Sequence, residues 1–310
     1  MITLDFADVH LLANVKSLIE PMRRAFSSLG SGPERAHYDL GTDDYPGTLL
    51  VMPAWRATAS IGVKITTVFP KNPERGYPSI SGAYLLLAWL TGEARAVIDG
   101  RALTLLRTAA VSALAADLLA PPNPEVLLVV GTGALSRYLI EGHLAVRCYQ
   151  SILIWGRDPR KAESIAAEVR VHGLPICAQD NLENMTRSAD VISCATMSDT
   201  ALIRGAWLKT NAHLDLVGSF KPTMREADDE CFRRTFIVVD TLNAMAQSGD
   251  LTSPIANGTI DRHQVALLKD LIEKNVSAPT AGHTLFKSVG VALADLAAAE
   301  HLFERATLRS

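Results

Sequence analysis

The 310-residue sequence has no surplus of positive charge; its formal net charge is −3. Nucleic acid and anionic membranes are recognised through basic fields, so this composition argues against both as partners. It also lacks paired cysteines. Cys148, Cys177, Cys194 and Cys231 lie far apart with no CxxC spacing, which favours reduced structural thiols over zinc ligands or a disulfide framework. Its histidines show no HExxH or similar spacing, so no metal is expected, and no GxSxG elbow points to hydrolysis. Apolar runs such as AYLLLAWL fall short of a membrane span. The opening MITLDFADVH carries acids where a secretory signal carries bases, which leaves a cytoplasmic location as the expectation. Repeats and low-complexity tracts are absent.

What is present suits a globular protein: 48% of residues are apolar and 20% charged, and the length allows one large domain or two ordinary ones. Residues 1–120 mix alternating strand candidates (Thr48–Met52, Ser60–Val68, Ala94–Asp99) with helical stretches, of which Leu103–Leu119 is alanine-rich. Pro121, Pro122 and Pro124 then break the chain. Beyond them the rhythm changes. Short apolar runs at Glu125–Val130, Ser151–Trp155, Pro175–Ala178, Asp190–Ala195, His213–Gly218 and Phe236–Asp240 alternate with helical segments, including one from Ala134 and one over Pro159–Val171. Continuous apolar strands alternating with helices predict a parallel sheet covered on both faces. Ser288–Glu304 reads as a closing amphipathic helix. The expected fold class is α/β: a Rossmann-type doubly wound parallel sheet, residues 121–290, inserted in an α+β domain made of 1–120 plus 291–310.

Gly131-Thr132-Gly133-Ala134-Leu135-Ser136 follows an apolar strand and opens a helix. The first glycine permits the tight turn and the second lets the backbone approach a pyrophosphate. The small third residue lets the helix pack against the strand, and the helix N-terminus faces the phosphates. Such a turn alone is a weak signal; between a strand and a helix it predicts a dinucleotide. After the next strand, SILIW, come Gly156-Arg157-Asp158, then Arg160 and Lys161. A guanidinium at this turn suits a ribose 2′-phosphate, so NADP(H) is preferred, with NAD(H) possible. Asp158 serves either as a helix N-cap or as a ribose ligand.

Six stretches resemble the ornithine cyclodeaminase/mu-crystallin family in order and spacing: LLVMPAW (49–55), IGVKITTVFPKNPERGYPSISG (61–82), LTLLRTAAVSALAA (103–116), VVGTGALSRYL (129–139), HLDLVGSFKPTMREAD (213–228) and LFKSVGVALAD (285–295). The resemblance implies a Rossmann-type dinucleotide-binding domain over 121–290 and a substrate and dimerisation domain made of 1–120 plus 291–310, assembled as a homodimer. It also implies that Arg35, Lys64 and Arg107 hold a substrate carboxylate. Taken by themselves, Lys64 and Arg107 could equally be outward side chains, but burying either requires an anionic partner. By the same resemblance Thr108, Lys287, Ser288 and Gly290 lie near the nicotinamide, joining Gly131, Thr132, Gly133, Ala134, Leu135 and Arg157 as the expected cofactor site. Ser79 and Ser81 are weaker candidates for substrate hydrogen bonds.

One departure matters. The family's cyclodeaminases carry an aspartate after the strand that ends in Gly218; here Phe220 stands in its place. A phenyl ring cannot accept a proton or orient water, which disfavours cyclodeamination and puts Phe220 at the substrate. The segment resembles the family's cyclic ketimine reductases, implying reduction of Δ1-pyrroline-2-carboxylate to L-proline and Δ1-piperideine-2-carboxylate to L-pipecolate. Lys64 is the candidate catalytic group, with solvent the alternative proton source. Competing readings are an alanine-type amino-acid dehydrogenase and an NADPH-dependent ligand-binding protein resembling mu-crystallin. Thr223–Glu226 reads as a capping box opening a helix, and Asp215 as a buried, paired structural carboxylate.

Overall fold

A computed structural model describes residues 1–310 apart from 28, 29, 31, 34, 43, 170–172 and 310. It forms two compact units, Met1–Thr108 with Val291–Ser310, and Ala109–Gly290. The sequence reading divided the chain at residue 120, where the prolines stop a helix. The units instead divide inside that helix, because its residues from Ala109 onward pack into the second core.

The first unit holds a six-stranded sheet: β1 (Ile2–Leu4), β2 (Ala36–Asp39), β3 (Thr48–Arg56), β4 (Ser60–Val68), β5 (Ile80–Ala88) and β6 (Ala94–Asp99), in the order β1-β6-β5-β4-β3-β2. β1 pairs parallel with β6, and the other neighbouring strands pair antiparallel. Alternation along β4 sends Ser60, Gly62, Lys64, Thr66 and Val68 to one buried face and Ile61, Val63, Ile65 and Thr67 to the other. The C-terminal helix (Ala292–Thr307) and α2 (Val15–Ser27) pack together, and the C-terminal helix lies against β3, β4, β5 and β6. α1 (Phe6–Leu12) opens with a capping box between Asp5 and Asp8.

α3 (Gly100–Leu119) is long and apolar enough to cross a bilayer by length and composition alone, contrary to the expectation that every apolar run falls short. Its most apolar window is 83% buried, which is the signature of a core helix.

The second unit contains a parallel sheet of eight strands. They are β7 (Val126–Val130), β8 (Ser151–Trp155), β9 (Ile176–Ala178), β10 (Val191–Cys194), β11 (His213–Leu216), β12 (Phe236–Val239), β13 (Val265–Leu267) and β14 (Thr284–Lys287), in the order β13-β12-β14-β11-β10-β7-β8-β9. Leu128 and Val130 enter one apolar cluster while Leu127 and Val129 enter another, so the sheet is buried on both faces. α4 (Ser136–Val146), α5 (Pro159–Val169) and α6 (Leu182–Ser188) supply the first crossovers. α5 was expected to reach residue 171, which lies outside the described residues. β7 pairs with both β8 and β10, so the strand order reverses there. In open α/β sheets ligands bind at that reversal, beyond the carboxyl ends of the strands.

Asp215 is fully buried in this core and accepts hydrogen bonds from Ser193 Oγ at 2.6 Å and Ser112 Oγ at 3.0 Å, with His143 Nε2 at 3.3 Å. Burial works to raise its pKa, but the His143 and Ser193 interactions more than offset it and hold the carboxyl below its usual range. Asp215 is therefore a buried carboxylate with partners.

Candidate functional site

In the first unit, Lys64 projects from the middle of β4 onto the buried face, and Arg107 comes from α3 in the same unit. They are 3% and 6% exposed, and both converge on Asp295, fully buried in the C-terminal helix. Lys64 Nζ donates to Asp295 Oδ1 at 2.9 Å and Arg107 Nε donates to the same oxygen at 2.8 Å. Burial, then the Arg107 charge, pushes the Lys64 ammonium down to about 8 even though Asp295 pulls the other way; Arg35, half-buried just before β2, adds to the depression.

Two cations facing one carboxylate leave a positive charge uncompensated in a desolvated place. That is costly unless an anion completes the set. Next to them are buried hydroxyls with no partner among the described residues, Thr66 Oγ1 and Tyr84 Oη. Thr66 lies two residues from Lys64 on the same face, and Tyr84 is the register partner of Lys64. Gly62 is required here, since a Cβ would overlap Tyr84 Oη. Burial, then Asp295 and Glu300, hold the Tyr84 phenol protonated. Glu300 itself is paired with Arg56 at 2.6 Å and with Ser60 Oγ.

In the second unit, the glycine turn lies at the end of β7. Gly131 has φ 123°, and a Cβ there would come within 2.6 Å of Ala195 O. Gly133 is exposed, with no atom within 4 Å of where a Cβ would be, which leaves its backbone open to a ligand. Ser136 Oγ donates to Gly131 O at 2.8 Å, tying the first turn of α4 back to the strand. Thr132, Ala134 and Leu135 complete the loop, and α4 begins at Ser136, two residues later than expected. Gly156 is needed after β8 because a Cβ would run into Thr132. Arg157 follows it, exposed. Asp158 accepts from Arg160 N at 3.1 Å and Arg160 Nε at 3.3 Å, so it caps α5. The loop, the helix N-terminus and the strand-order reversal fit a dinucleotide pyrophosphate.

The other expected site residues have partners and positions of their own. Lys287 does not offer its ammonium to a ligand: it has no exposure and sits 3.3 Å from Asp250 and 3.8 Å from Glu226. Ser288 Oγ donates to Asp240 at 2.8 Å, and Gly290 N donates to the same carboxylate at 2.7 Å. This turn is held by its own aspartate, and the closing helix starts only at Ala292. Ser79 precedes β5, five residues from Tyr84 and thus roughly 17 Å along the strand from Lys64. Ser81 pairs with Thr67 on the opposite face. Both serines are removed from the cations by register. Phe220 is half-buried in the loop after β11, with Lys221 Nζ 5.8 Å from its ring centre. Thr108 is buried beside Arg107 on α3.

No helix starts at Thr223. Glu226 is instead fully buried and accepts from Thr196 N at 2.7 Å, Gly218 N at 2.7 Å and Ser219 N at 3.2 Å. It stitches together the loops that follow β10 and β11. Asp295 is the main omission of the sequence reading. Its signal was a lone carboxylate in the alanine-rich run GVALADLAAAE.

The family model described as ornithine cyclodeaminase/mu-crystallin matches residues 2–309. Protein SAR DEFICIENT 4 of Arabidopsis thaliana is 37% identical, covering 90% of this chain and 88% of its own. The Delta(1)-pyrroline-2-carboxylate reductase of Colwellia psychrerythraea is 32% identical, covering 96% of each. The solved Thermococcus litoralis Delta(1)-pyrroline-2-carboxylate reductase, in complex with NADH and L-proline, superposes with TM-score 0.95 at 28% identity, covering 100% of this chain and 98% of that one. A family match over nearly the full sequence, joined to the glycine turn and the paired cations, places the chain in the ornithine cyclodeaminase/mu-crystallin family.

Proposed function

We propose that this protein reduces cyclic imino acids, converting Δ1-pyrroline-2-carboxylate to L-proline and Δ1-piperideine-2-carboxylate to L-pipecolate. The chain is an NAD(P)H-dependent oxidoreductase acting on C=N bonds. The observation that carries the reading is the surplus positive charge of Lys64 and Arg107 over Asp295, which suits a small substrate with one carboxylate. Arg107 presents a planar guanidinium for two parallel hydrogen bonds, and Lys64 a compact ammonium. Similarity to reductases named for pyrroline-2-carboxylate supports the choice of substrate.

A reduced nicotinamide dinucleotide held at the glycine turn would supply a hydride to the imine carbon, which with one proton on nitrogen would turn C=N into CH–NH. Thr132, Gly133, Ala134 and Leu135 would hold the pyrophosphate at the N-terminus of α4. Lys64 and Arg107, with Arg35 close by, fix the carboxylate and so orient the adjacent imine carbon. Phe220 offers an apolar surface where an acid would serve deamination. Arg157 favours NADP(H), with NAD(H) as the second cofactor; a solved relative carries NADH.

A homodimer belongs to the proposal. The outer face of the first unit's sheet carries Val51, Trp55, Ile61, Val63, Ile65 and Leu87, partly exposed, an apolar surface that a second copy would cover by sheet-on-sheet packing.

Oxidation of NADPH and of NADH, followed spectrophotometrically with each cyclic imino acid and with pyruvate plus ammonium, tests the reading. Turnover of the imino acids is expected. Lys64→Ala and Arg107→Ala should each raise KM by about tenfold or more, equivalent to ~1.4 kcal/mol of lost binding. Faster turnover of pyruvate plus ammonium, or ammonia release from ornithine without net cofactor use, would replace it.

A further inference from the structure

Asp295 is anchored on scaffold. It lies four residues into the C-terminal helix, is fully buried, and faces the sheet surface that carries Lys64. Its partners are 231 and 188 positions away in the chain, so no local structure explains the contact. Among the described residues Arg107 donates to it only through Nε, which leaves the terminal N–H groups of the guanidinium to meet a planar carboxylate. Lys64 Nζ lies 2.9 Å from each Asp295 oxygen and retains at least one donor.

We infer that Asp295 is the positioning residue of the anion seat: its carboxylate locks Lys64 and Arg107 side by side, with their remaining donors turned to the substrate carboxylate. The inference rests on the reductase reading above. Asp295 acts through the two cations, and the reacting atoms belong to substrate and cofactor.

The same contact governs the charge on Lys64. The groups facing its ammonium are Arg107 from α3, Arg35 before β2, Asp295 from the C-terminal helix and the phenol of Tyr84 on β5; β3 offers only the apolar Met52 opposite. Arg56, farther along β3, is paired with Glu300. Burial and two guanidinium groups oppose the ammonium, and Asp295 supports it both by charge and by hydrogen bond. A neutral residue at 295 therefore lets Lys64 lose its proton at lower pH, and substrate affinity falls with it.

The test is the pH dependence of KM for Δ1-pyrroline-2-carboxylate in the intact protein. In the wild type KM should climb as pH passes about 8, where Lys64 discharges. In Asp295→Asn that climb should begin about one pH unit lower or more, with a smaller change in kcat. A scaffolding role alone would lower kcat or stability and leave the midpoint of the climb in place, and an unmoved midpoint overturns the inference. Should Asp295→Asn fail to fold by circular dichroism, Asp295→Glu decides. It keeps the charge but displaces the carboxylate by one methylene, so KM should rise about threefold or more with the midpoint retained; an unchanged KM overturns the positioning role. A wild type that turns over no imino acid defeats the reductase reading itself, and the inference with it.

Discussion

Lys287 Nζ lies 3.3 Å from Asp250 Oδ2, inside the second unit, with neither side chain exposed. Glu226 is the third member, its oxygen 3.8 Å from the same ammonium. One cation thus faces two carboxylates. Burial, opposed by Lys287 and reinforced by Asp250, raises Glu226 to about 7. Both carboxylates also carry backbone: Asp250 Oδ1 accepts from Glu226 N at 2.8 Å and Ala227 N at 3.2 Å, while Glu226 holds the loops after β10 and β11. Lys287 is the electrostatic anchor of loops beside the glycine turn.

Removing that anchor strands two acids. Lys287→Met should destabilise the protein by about 3–5 kcal/mol, the cost of breaking a buried ion pair from one side. The double variant Lys287→Met/Asp250→Asn should recover part of that loss, because it removes one stranded charge. Thermal and urea unfolding of the two variants beside the wild type measures both numbers. A single variant as stable as the wild type would contradict the anchor.

Arg157 tests cofactor choice. It is exposed after β8, next to the glycine that lets that turn approach Thr132. Arg157→Ala should raise KM for NADPH by about tenfold, roughly the ~1.4 kcal/mol of a lost charge-assisted contact, and leave KM for NADH within about twofold. Equal losses with both cofactors would remove the 2′-phosphate from its role.

Much of this architecture is legible in the sequence because its signals are local. The alternating stretches Ser60–Val68 and Ala94–Asp99 and the apolar run Ser151–Trp155 are strands with the expected bounds. The glycine turn is bracketed by a strand and a helix, as read. Contacts between distant segments are what escaped. Asp295 is one carboxylate in an alanine-rich helix until β4 and α3 bring two cations to it. The Thr223–Glu226 pattern satisfies a capping box, yet Thr196, Gly218 and Ser219 claim Glu226 from loops up to 30 positions away. β14 was not read as a strand, and it delivers the Lys287 side chain into the core. Ser79 was lost to register, which is set by strand pairing across β4 and β5.

The outer sheet face makes a third prediction. Val63 sits at its centre, paired with Pro53 on β3 and Leu85 on β5. A glutamate there would be buried unpaired in the proposed dimer but solvated in a monomer. Val63→Glu should therefore shift the protein from dimer to monomer in sedimentation equilibrium, leaving its circular dichroism spectrum unchanged. An undisturbed dimer would mean that another surface pairs the subunits.

Acid stability turns on His213. It is fully buried on β11, and its Nδ1 lies 2.9 Å from Thr284 Oγ1. That hydroxyl gives its own hydrogen to Leu119 O at 3.0 Å, so the imidazole must donate through Nδ1. Nε2 is buried with no partner among the described residues, and a proton added there finds no acceptor among them. Burial, opposed by Asp215, lowers the imidazole to about 3, against an unfolded value of 6.5. Between these values the unfolded chain binds the extra proton and the folded one does not. The contribution of His213 to stability is therefore intact above pH 6.5 and lost progressively as pH falls toward 3, with an upper bound of about 5 kcal/mol. His213→Gln cannot titrate, so the difference in unfolding free energy between wild type and variant should shrink steadily from pH 7 to pH 4. Parallel curves over that range would show that His213 takes up its proton in the folded state as readily as in the unfolded chain.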